Sequence, residues 1–402
     1  MGSVTSLPVR LSDKHIGNLL VSEGRTQLVF AEDYWSDPRR PVLGLHFEDH
    51  PGVVEPWRTG LPVWFENIVP EGRLRDVVAR TVDVDPYSSL RILQSIGIDL
   101  PGAVVLGAPF EAEAGTRDLM QSLPGNRESS KWNFSLAGYF LKLSVAKSQG
   151  RITTPAFGEY GNCILKFPSS GHPNLPLNEF WMMSLARHMG FDIPEFFLVP
   201  RKDLPENVSD DFWPDTENVG FGIVRFDRTE DGERIHMEDF AQILNKLPHE
   251  KYRSNFETVG RIASAVGCSD GTAEFVRRLT LNILIGNGDA HLKNWSVIYP
   301  DGRKPQLSPV YDLVCDGIYP GRHNLGMKFG GIDMFSAITR KTFEGASQRL
   351  GDAPEDVLDQ VDQTCAAFEE AWADLNAEMP SEVREFVGRH SSAALLRLSK
   401  PA

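Results

Sequence analysis

Apolar and polar positions alternate near the start of the chain. Leu7 to Leu11 and Gly17 to Val21 read as short strands, and Leu28, Phe30 and Tyr34 continue the strand-like pattern. The spacing then changes. Asn67 to Val82 predicts a helix with Pro70-Glu71 near its start and Leu74, Val77 and Val78 in its body. Pro86 to Ile98 predicts a second, shorter helix. Asp99-Leu100-Pro101-Gly102 reads as a turn into a strand over Ala103 to Leu106. A stretch rich in Gly, Glu, Asn and Ser, Glu111 to Ser130, reads as a linker. After it, strands are expected at Phe134 to Val145, Cys163 to Phe167, Glu195 to Val199 and Gly222 to Phe226, with a helix from Leu177 to His188 among them.

From about Met237 the pattern turns helical. Val357, Leu358, Val361, Cys365, Phe368, Trp372 and Leu375 recur mostly at spacings of three and four, while acidic residues cover the other faces. The acidic run is read as a solvated face. These elements divide the chain into residues 1–112, 113–236 and 237–402: an α+β unit, a small mixed lobe and a helical lobe.

Composition narrows the function classes. A chain of 402 residues with 41% hydrophobic positions can build a core in each of these units. The net charge of −14 makes it a poor non-specific binder of nucleic acid. Cys163, Cys268, Cys315 and Cys365 form no CxxC pair, which argues against a zinc site and fits a reducing cytoplasm. No charged leader with an apolar core and no apolar run of membrane-spanning length is present, so a cytoplasmic protein that does not engage a membrane is expected.

The candidate chemistry centres on Ile285-Gly-Asn-Gly-Asp-Ala-His-Leu-Lys-Asn294. A helical pattern from Thr272 to Leu284 precedes it, Gly286 and Gly288 interrupt it, and a strand over Trp295 to Tyr299 follows. Asp289 and Asn294 therefore share a loop at the spacing D-x-x-x-x-N. In phosphoryl transfer one carboxylate orients the attacking hydroxyl and takes its proton, and an amide oxygen five residues on ligates magnesium. A second carboxylate is needed for the metal. Asp312, in Val310-Tyr-Asp-Leu313 after a turn at Asp301 to Pro305, fits that place. The alternative for Asp289 and Asn294 is that they are turn residues. His291 reads as a packed residue that holds the loop. Lys293 reads either as a charge facing phosphate or as a surface lysine.

Upstream, Lys166 interrupts the apolar strand Cys163 to Phe167, and Glu179 lies at the start of the next helix. A lysine steadied by such a glutamate holds ATP phosphates in kinases. Ser135-Leu-Ala-Gly-Tyr-Phe-Leu-Lys142 offers backbone amides around Ala137 and Gly138, with Lys142 at its end, for a phosphate cover.

Taken in order, these segments resemble the HipA-type serine/threonine kinase toxins of bacterial type II toxin–antitoxin modules. The resemblance rests on Trp64 to Gly72, Ser135 to Lys142, Ile164-Leu-Lys166, Val224-Arg-Phe-Asp-Arg228, Gly288 to Asn294 and Leu307 to Asp312. It implies a two-lobed protein-kinase-like α+β fold, with a mixed α/β N-terminal lobe, an all-helical C-terminal lobe and an extra N-terminal α+β subdomain. It implies ATP and Mg2+ as cofactors, Asp289 as base, Asn294 and Asp312 as metal ligands, and Lys166 on the nucleotide phosphates. Val224 and Phe226 match hinge positions whose backbone meets adenine, and Ser135 matches a serine that is autophosphorylated.

The resemblance also implies a HipB-like helix-turn-helix antitoxin as partner, operator DNA reached through it, and a protein substrate. Family targets include aminoacyl-tRNA synthetases. The loop departs from the family pattern S-x-A-G-x-Q-P-K, because Tyr139-Phe140-Leu141 replaces the Gln and Pro. Two other readings stay open on the residues. One is a small-molecule phosphotransferase, against which the N-terminal unit argues. The other is a catalytically impaired co-repressor that binds the antitoxin, supported by the altered loop alone.

Overall fold

The computed structural model describes residues 4–97, 99–107, 141–148, 151–153, 161–204, 213, 216–267, 270–321 and 323–399. Ser135, Ala137, Gly138 and the linker Glu111 to Ser130 lie outside them. The chain forms two compact units. The first comprises residues 1–169, 199–248 and 298–304. The second comprises residues 170–198, 249–297 and 305–402.

The early alternation builds an antiparallel sheet in the first unit. Its strands are β1 (Thr5–Leu11), β2 (Lys14–Ser22), β3 (Arg25–Phe30), β4 (Arg58–Thr59) and β5 (Val104–Leu106), in the order β4-β3-β2-β1-β5. Leu7 pairs with Leu19 and Leu19 with Leu28. Val9, Ile16 and Leu19 are fully buried, as are Leu74 and Val78 of helix Gly72–Thr81 and Ile92 and Leu93 of helix Ser89–Ile96. This is the period-two and period-3.6 pattern turned into one core.

Two expectations are corrected here. Tyr34 is not strand-like: it is buried on helix Glu32–Ser36, with its hydroxyl donating to Pro41 O at 2.7 Å. The helix expected from Asn67 starts at Gly72. Pro70 disfavours helical backbone at the residue before it. Asn67 instead ends the short helix Val63–Glu66 and donates its amide to Val63 O and Lys246 O, at 3.0 and 2.8 Å.

The second sheet of this unit contains β6 (Lys142–Ser148), β7 (Arg151–Thr153), β8 (Cys163–Lys166), β9 (Phe196–Pro200) and β10 (Val219–Val224), in the order β7-β6-β8-β10-β9. The strand expected over Gly222 to Phe226 sits earlier, because Arg225 and Asp227 leave the sheet for a buried charge network. Arg225 clasps Asp227 with Nε and Nη2 at 2.9 and 2.8 Å and reaches Asp99 Oδ1 with Nη1 at 2.7 Å. Arg228 joins Asp99 at 3.0 Å and Asp227 at 2.9 Å. Ser144 Oγ donates to Asp99 at 2.6 Å, and the Gly102 N–H donates to Asp227 at 2.7 Å. Burial opposes the charges of Asp99 and Asp227, but the two guanidinium groups outweigh it and hold both carboxyls below their usual range. Asp99, read from sequence as a turn residue, is thus a buried ion that ties the chain before β5 to the second sheet.

A second buried acid, Glu238, accepts from Tyr299 Oη at 2.5 Å, Leu45 N at 2.8 Å and Trp64 Nε1 at 3.1 Å. Loss of water pushes its carboxyl up to about 7 against these three donors.

The second unit is built around helix Gly271–Ile285. Phe275, Val276, Leu279, Leu281, Ile283 and Leu284 are fully buried. Helices Phe256–Val266, Pro354–Leu375 and Ser381–Leu398 pack on it. The periodicity read over Val357 to Leu375 buries Val357, Val361, Cys365 and Phe368. Helix Leu175–His188 starts two residues before its expected position, with Pro176 in its first turn. A hairpin of Asn324–Phe329 and Ile332–Met334 adds two strands to this unit. Among the described residues no helix is long and apolar enough to cross a membrane.

Arg225→Met should lower stability by about 3–5 kcal/mol, because Asp99 and Asp227 then share one cation in a dry site. Urea unfolding compared with the native chain checks this. Glu238 carries a raised folded pKa, so its neutral form favours folding. That contribution is present below about pH 4.5 and is lost as pH rises to about 7. Relative to Glu238→Gln, the native chain should therefore lose up to about 3 kcal/mol between pH 4.5 and 8. Urea midpoints at both pH values measure the shift, and a constant difference would refute it.

Candidate active site

Helix Gly271–Ile285 ends at Gly286, whose φ of 70° suits glycine. Asn287 N then bonds back to Asn282 O at 2.9 Å, and the Asn287 amide donates to Asn282 Oδ1 at 2.7 Å. Asn287 Oδ1 accepts from Asp289 N at 3.1 Å. Gly288 N donates to Asp316 Oδ1 at 2.5 Å, and a Cβ at this position would lie 2.4 Å from Asn324 O. The loop is thus held from several sides before it reaches Asp289.

Beyond Asp289 the chain makes a short 3-10 turn over Leu292–Asn294. Leu292 and Trp295 are buried anchors. His291 N donates to Asp289 O at 2.8 Å and to Asn294 Oδ1 at 3.2 Å. The His291 ring is buried and packs edge-on against Tyr252, with centroids 5.0 Å apart. Burial pushes this imidazole down to about 4, so it is neutral near pH 7 despite Asp289. Asp289 itself is part-buried, and its Oδ1 accepts from the Tyr252 hydroxyl.

Asn294 Nδ2 donates to Asp312 Oδ2 at 2.7 Å. Residues 18 positions apart in sequence are brought together because the intervening segment is laced to the loop. Ser308 N bonds to Ser296 O at 3.0 Å, and Tyr311 Oη donates to Lys293 O at 2.9 Å. Asp312 adopts φ 61°, a left-handed conformation unusual outside glycine and tolerated by Asp. As placed, Asn294 turns its Nδ2 to Asp312 and its Oδ1 to the His291 N–H, so the Asp312 carboxylate is the hard oxygen donor of the pair; with the amide turned over, its oxygen would join that carboxylate as the one or two protein ligands magnesium takes. A cavity of about 20 Å3, room for one water, lies among Arg278, Asn282, Asn287, Asn294 and Asp312.

Lys166 and Lys142 belong to the first unit. They are direct cross-strand partners, and Phe221 is the partner of Lys166 on the other side. Partners in register share one face of a sheet, so both ammonium groups project on the same side. Lys166 Nζ lies 5.8 Å from the Phe221 ring centroid. Val224 ends β10, and Phe226 lies between Arg225 and Asp227 of the charge network.

Glu179 is buried in the second unit, in the second turn of helix Leu175–His188. Beside it Asn178 makes paired bonds with Cys315, Nδ2 to O at 2.8 Å and Oδ1 from N at 2.9 Å. Lys293 is half-buried. Sequence reasoning missed Tyr252, Asn178, Asn282, Asn287 and Asp316. The asparagines at 282 and 287 carry a signal, since Asn in a buried apolar helix needs a local partner. Tyr252 carries none.

Comparison with known proteins agrees over both parts of the chain. Residues 7–107 match the HipA N-terminal domain, and residues 134–372 match the HipA-like C-terminal domain. A putative kinase, Y4dM, from Sinorhizobium fredii is 36% identical over 406 residues, covering 97% of each chain. The serine/threonine-protein kinase toxin HipA of Shewanella oneidensis is 26% identical over 364 residues, covering 76% of this chain and 75% of its own. A solved structure from the same organism, the toxin–antitoxin system of HipA, HipB and operator DNA, contains a chain that superposes with a TM-score of 0.74 at 19% identity. That match covers 98% of this chain and 96% of the other, and it establishes the fold. On these matches the chain belongs to the HipA family.

Proposed function

We propose that the protein is an ATP-dependent serine/threonine protein kinase and the toxin of a type II toxin–antitoxin module. The observation that carries this reading is the joining of Asp289, Asn294 and Asp312 by one loop and one tethered segment, in a chain of the HipA family.

In this reading Asp289 orients the acceptor hydroxyl and receives its proton as the acceptor oxygen bonds to the γ-phosphorus of ATP. The β–γ bridging oxygen leaves with ADP. Asn294 and Asp312 would hold Mg2+, which offsets phosphate charge when bound. Lys142 and Lys166 meet the phosphates. The family resemblance gives Glu179 the part of the glutamate that accompanies a phosphate lysine, and the backbone at Val224 and Phe226 that of the adenine contact. Lys293 adds positive charge near the transferred group. His291 is neutral and holds the loop in shape, outside the proton transfer. Ser135 is the residue autophosphorylated in this reading, and Ala137 and Gly138 belong to the same phosphate-binding segment.

The partner in this reading is a HipB-like helix-turn-helix antitoxin, as in the related Shewanella complex. The net charge of −14 supports leaving operator DNA to that partner. The acceptor is a protein, with aminoacyl-tRNA synthetases the first class to assay, and the reaction belongs in the cytoplasm.

Asp289→Asn should reduce phosphate transfer by at least about a hundredfold, with its circular dichroism unchanged. Intact-mass and peptide mass spectrometry after incubation with Mg-ATP should find phosphate on Ser135 in the native chain and none in the variant. Transfer to a small alcohol, with none to protein, would overturn the protein-kinase reading. Asp312→Asn should raise the Mg2+ concentration at half-maximal rate by roughly tenfold or more, as expected when a direct carboxylate ligand is lost. An unchanged Mg2+ titration would remove Asp312 from the metal site.

A further inference from the structure

Tyr252 sits in the segment just before helix Phe256–Val266, 37 residues before Asp289. Its phenol is 38% exposed, and its hydroxyl donates to Asp289 Oδ1. The backbone beside it is fixed to the loop, because Leu292 N donates to Lys251 O at 3.2 Å. Its ring rests edge-on against His291, and Lys251 Nζ lies 5.6 Å from the ring centroid. The base of the residue is therefore held while its polar tip reaches the surface.

We propose that Tyr252 is an internal stand-in for the acceptor hydroxyl, which caps Asp289 until a protein acceptor displaces it and so denies the base to water. The proposal rests on the reading of Asp289 as the catalytic base. A serine or threonine presented to that base would donate its O–H to the same carboxylate. Tyr252 already makes this contact with a hydroxyl of its own. The bond from the phenol to the Asp289 carboxylate is charge-assisted, but a serine or threonine hydroxyl makes the same kind of bond, so at this part-exposed position a bound acceptor can take its place. A lone water competes poorly with a tethered phenol, because it has no further contacts to hold it there.

Without the phenol oxygen, water can occupy the same position. Its proton passes to Asp289, its oxygen bonds to the γ-phosphorus, and the bridging oxygen leaves with ADP, yielding inorganic phosphate. The fold then hydrolyses ATP unproductively. Tyr252 is a positioning residue in this account, since it acts through the base.

The test uses the full chain with Mg-ATP and no added acceptor. Release of inorganic phosphate is followed for the native protein, Tyr252→Phe and Asp289→Asn. The phenylalanine keeps the ring against His291 and removes only the hydroxyl. Tyr252→Phe should release phosphate about ten to a hundred times faster than native, the factor that one lost hydrogen bond to a charged group allows. Its Tm should stay within a few degrees of native. Asp289→Asn should release none. An unchanged or slower rate in Tyr252→Phe overturns the proposal, as does a fallen Tm without faster hydrolysis, which marks a structural tyrosine. Phosphate found on Tyr252 itself also overturns it, because the hydroxyl is then an acceptor. Failure of the kinase reading shows separately, as absence of both Ser135 phosphate and a nucleotide-dependent rise in Tm in the native chain.

Discussion

A helix buried on every side cannot end in water, and this constraint organises the candidate site. Helix Gly271–Ile285 is apolar around most of its circumference. Its last carbonyls have no partner within the helix and must find one in protein. Asn287 N takes one at Asn282. His390 takes another, its Nε2 meeting Ile283 O at 2.8 Å. A carbonyl only accepts, so that nitrogen carries the proton, and burial keeps this imidazole's pKa below its ordinary value. With these bonds made, the chain turns through Gly286 and emerges at a defined angle. The place of Asp289 follows from how the helix stops.

The polar loop inherits that precision. Asn287 and Asp316 hold it from within, and the 3-10 turn ends with Asn294 against Asp312. The first two are side chains satisfying backbone N–H groups, which stiffens a loop lacking regular ladders, and the third joins two side chains. The part-buried carboxylates of Asp289 and Asp312 are thereby placed by neutral groups. Asp289 accepts from the Tyr252 hydroxyl and Asp312 from the Asn294 amide.

Much of this was legible in the sequence, for reasons of range. The D-x-x-x-x-N loop is local, and its glycines announce the end of the preceding helix. The α+β class and the helix over Val357 to Leu375 followed from periodicity, which is also local. What stayed hidden depends on contacts far apart in the chain. Asn178 meets Cys315 and Tyr252 meets Asp289, and neither pair has a spacing that a pattern can carry. Asp99 looked like a turn residue because nothing near it in sequence reveals two arginines more than a hundred positions away. The strand ending at Val224 was displaced for the same reason. The hairpin Asn324–Phe329 with Ile332–Met334 was missed because it is short and broken by Gly330 and Gly331. The helix start at Gly72 was misjudged where Pro70 should have weighed more.

The four-charge cluster of Asp99, Arg225, Asp227 and Arg228 also constrains how the protein can diverge. Any single replacement leaves the three remaining buried charges out of balance, so intermediates one substitution away are less stable. These positions can change only as a set, or not at all. The chain before β5 and the segment after β10 are therefore bound to a common history. An exchange of the first hundred residues between relatives will succeed only where both parents carry compatible charges at these positions.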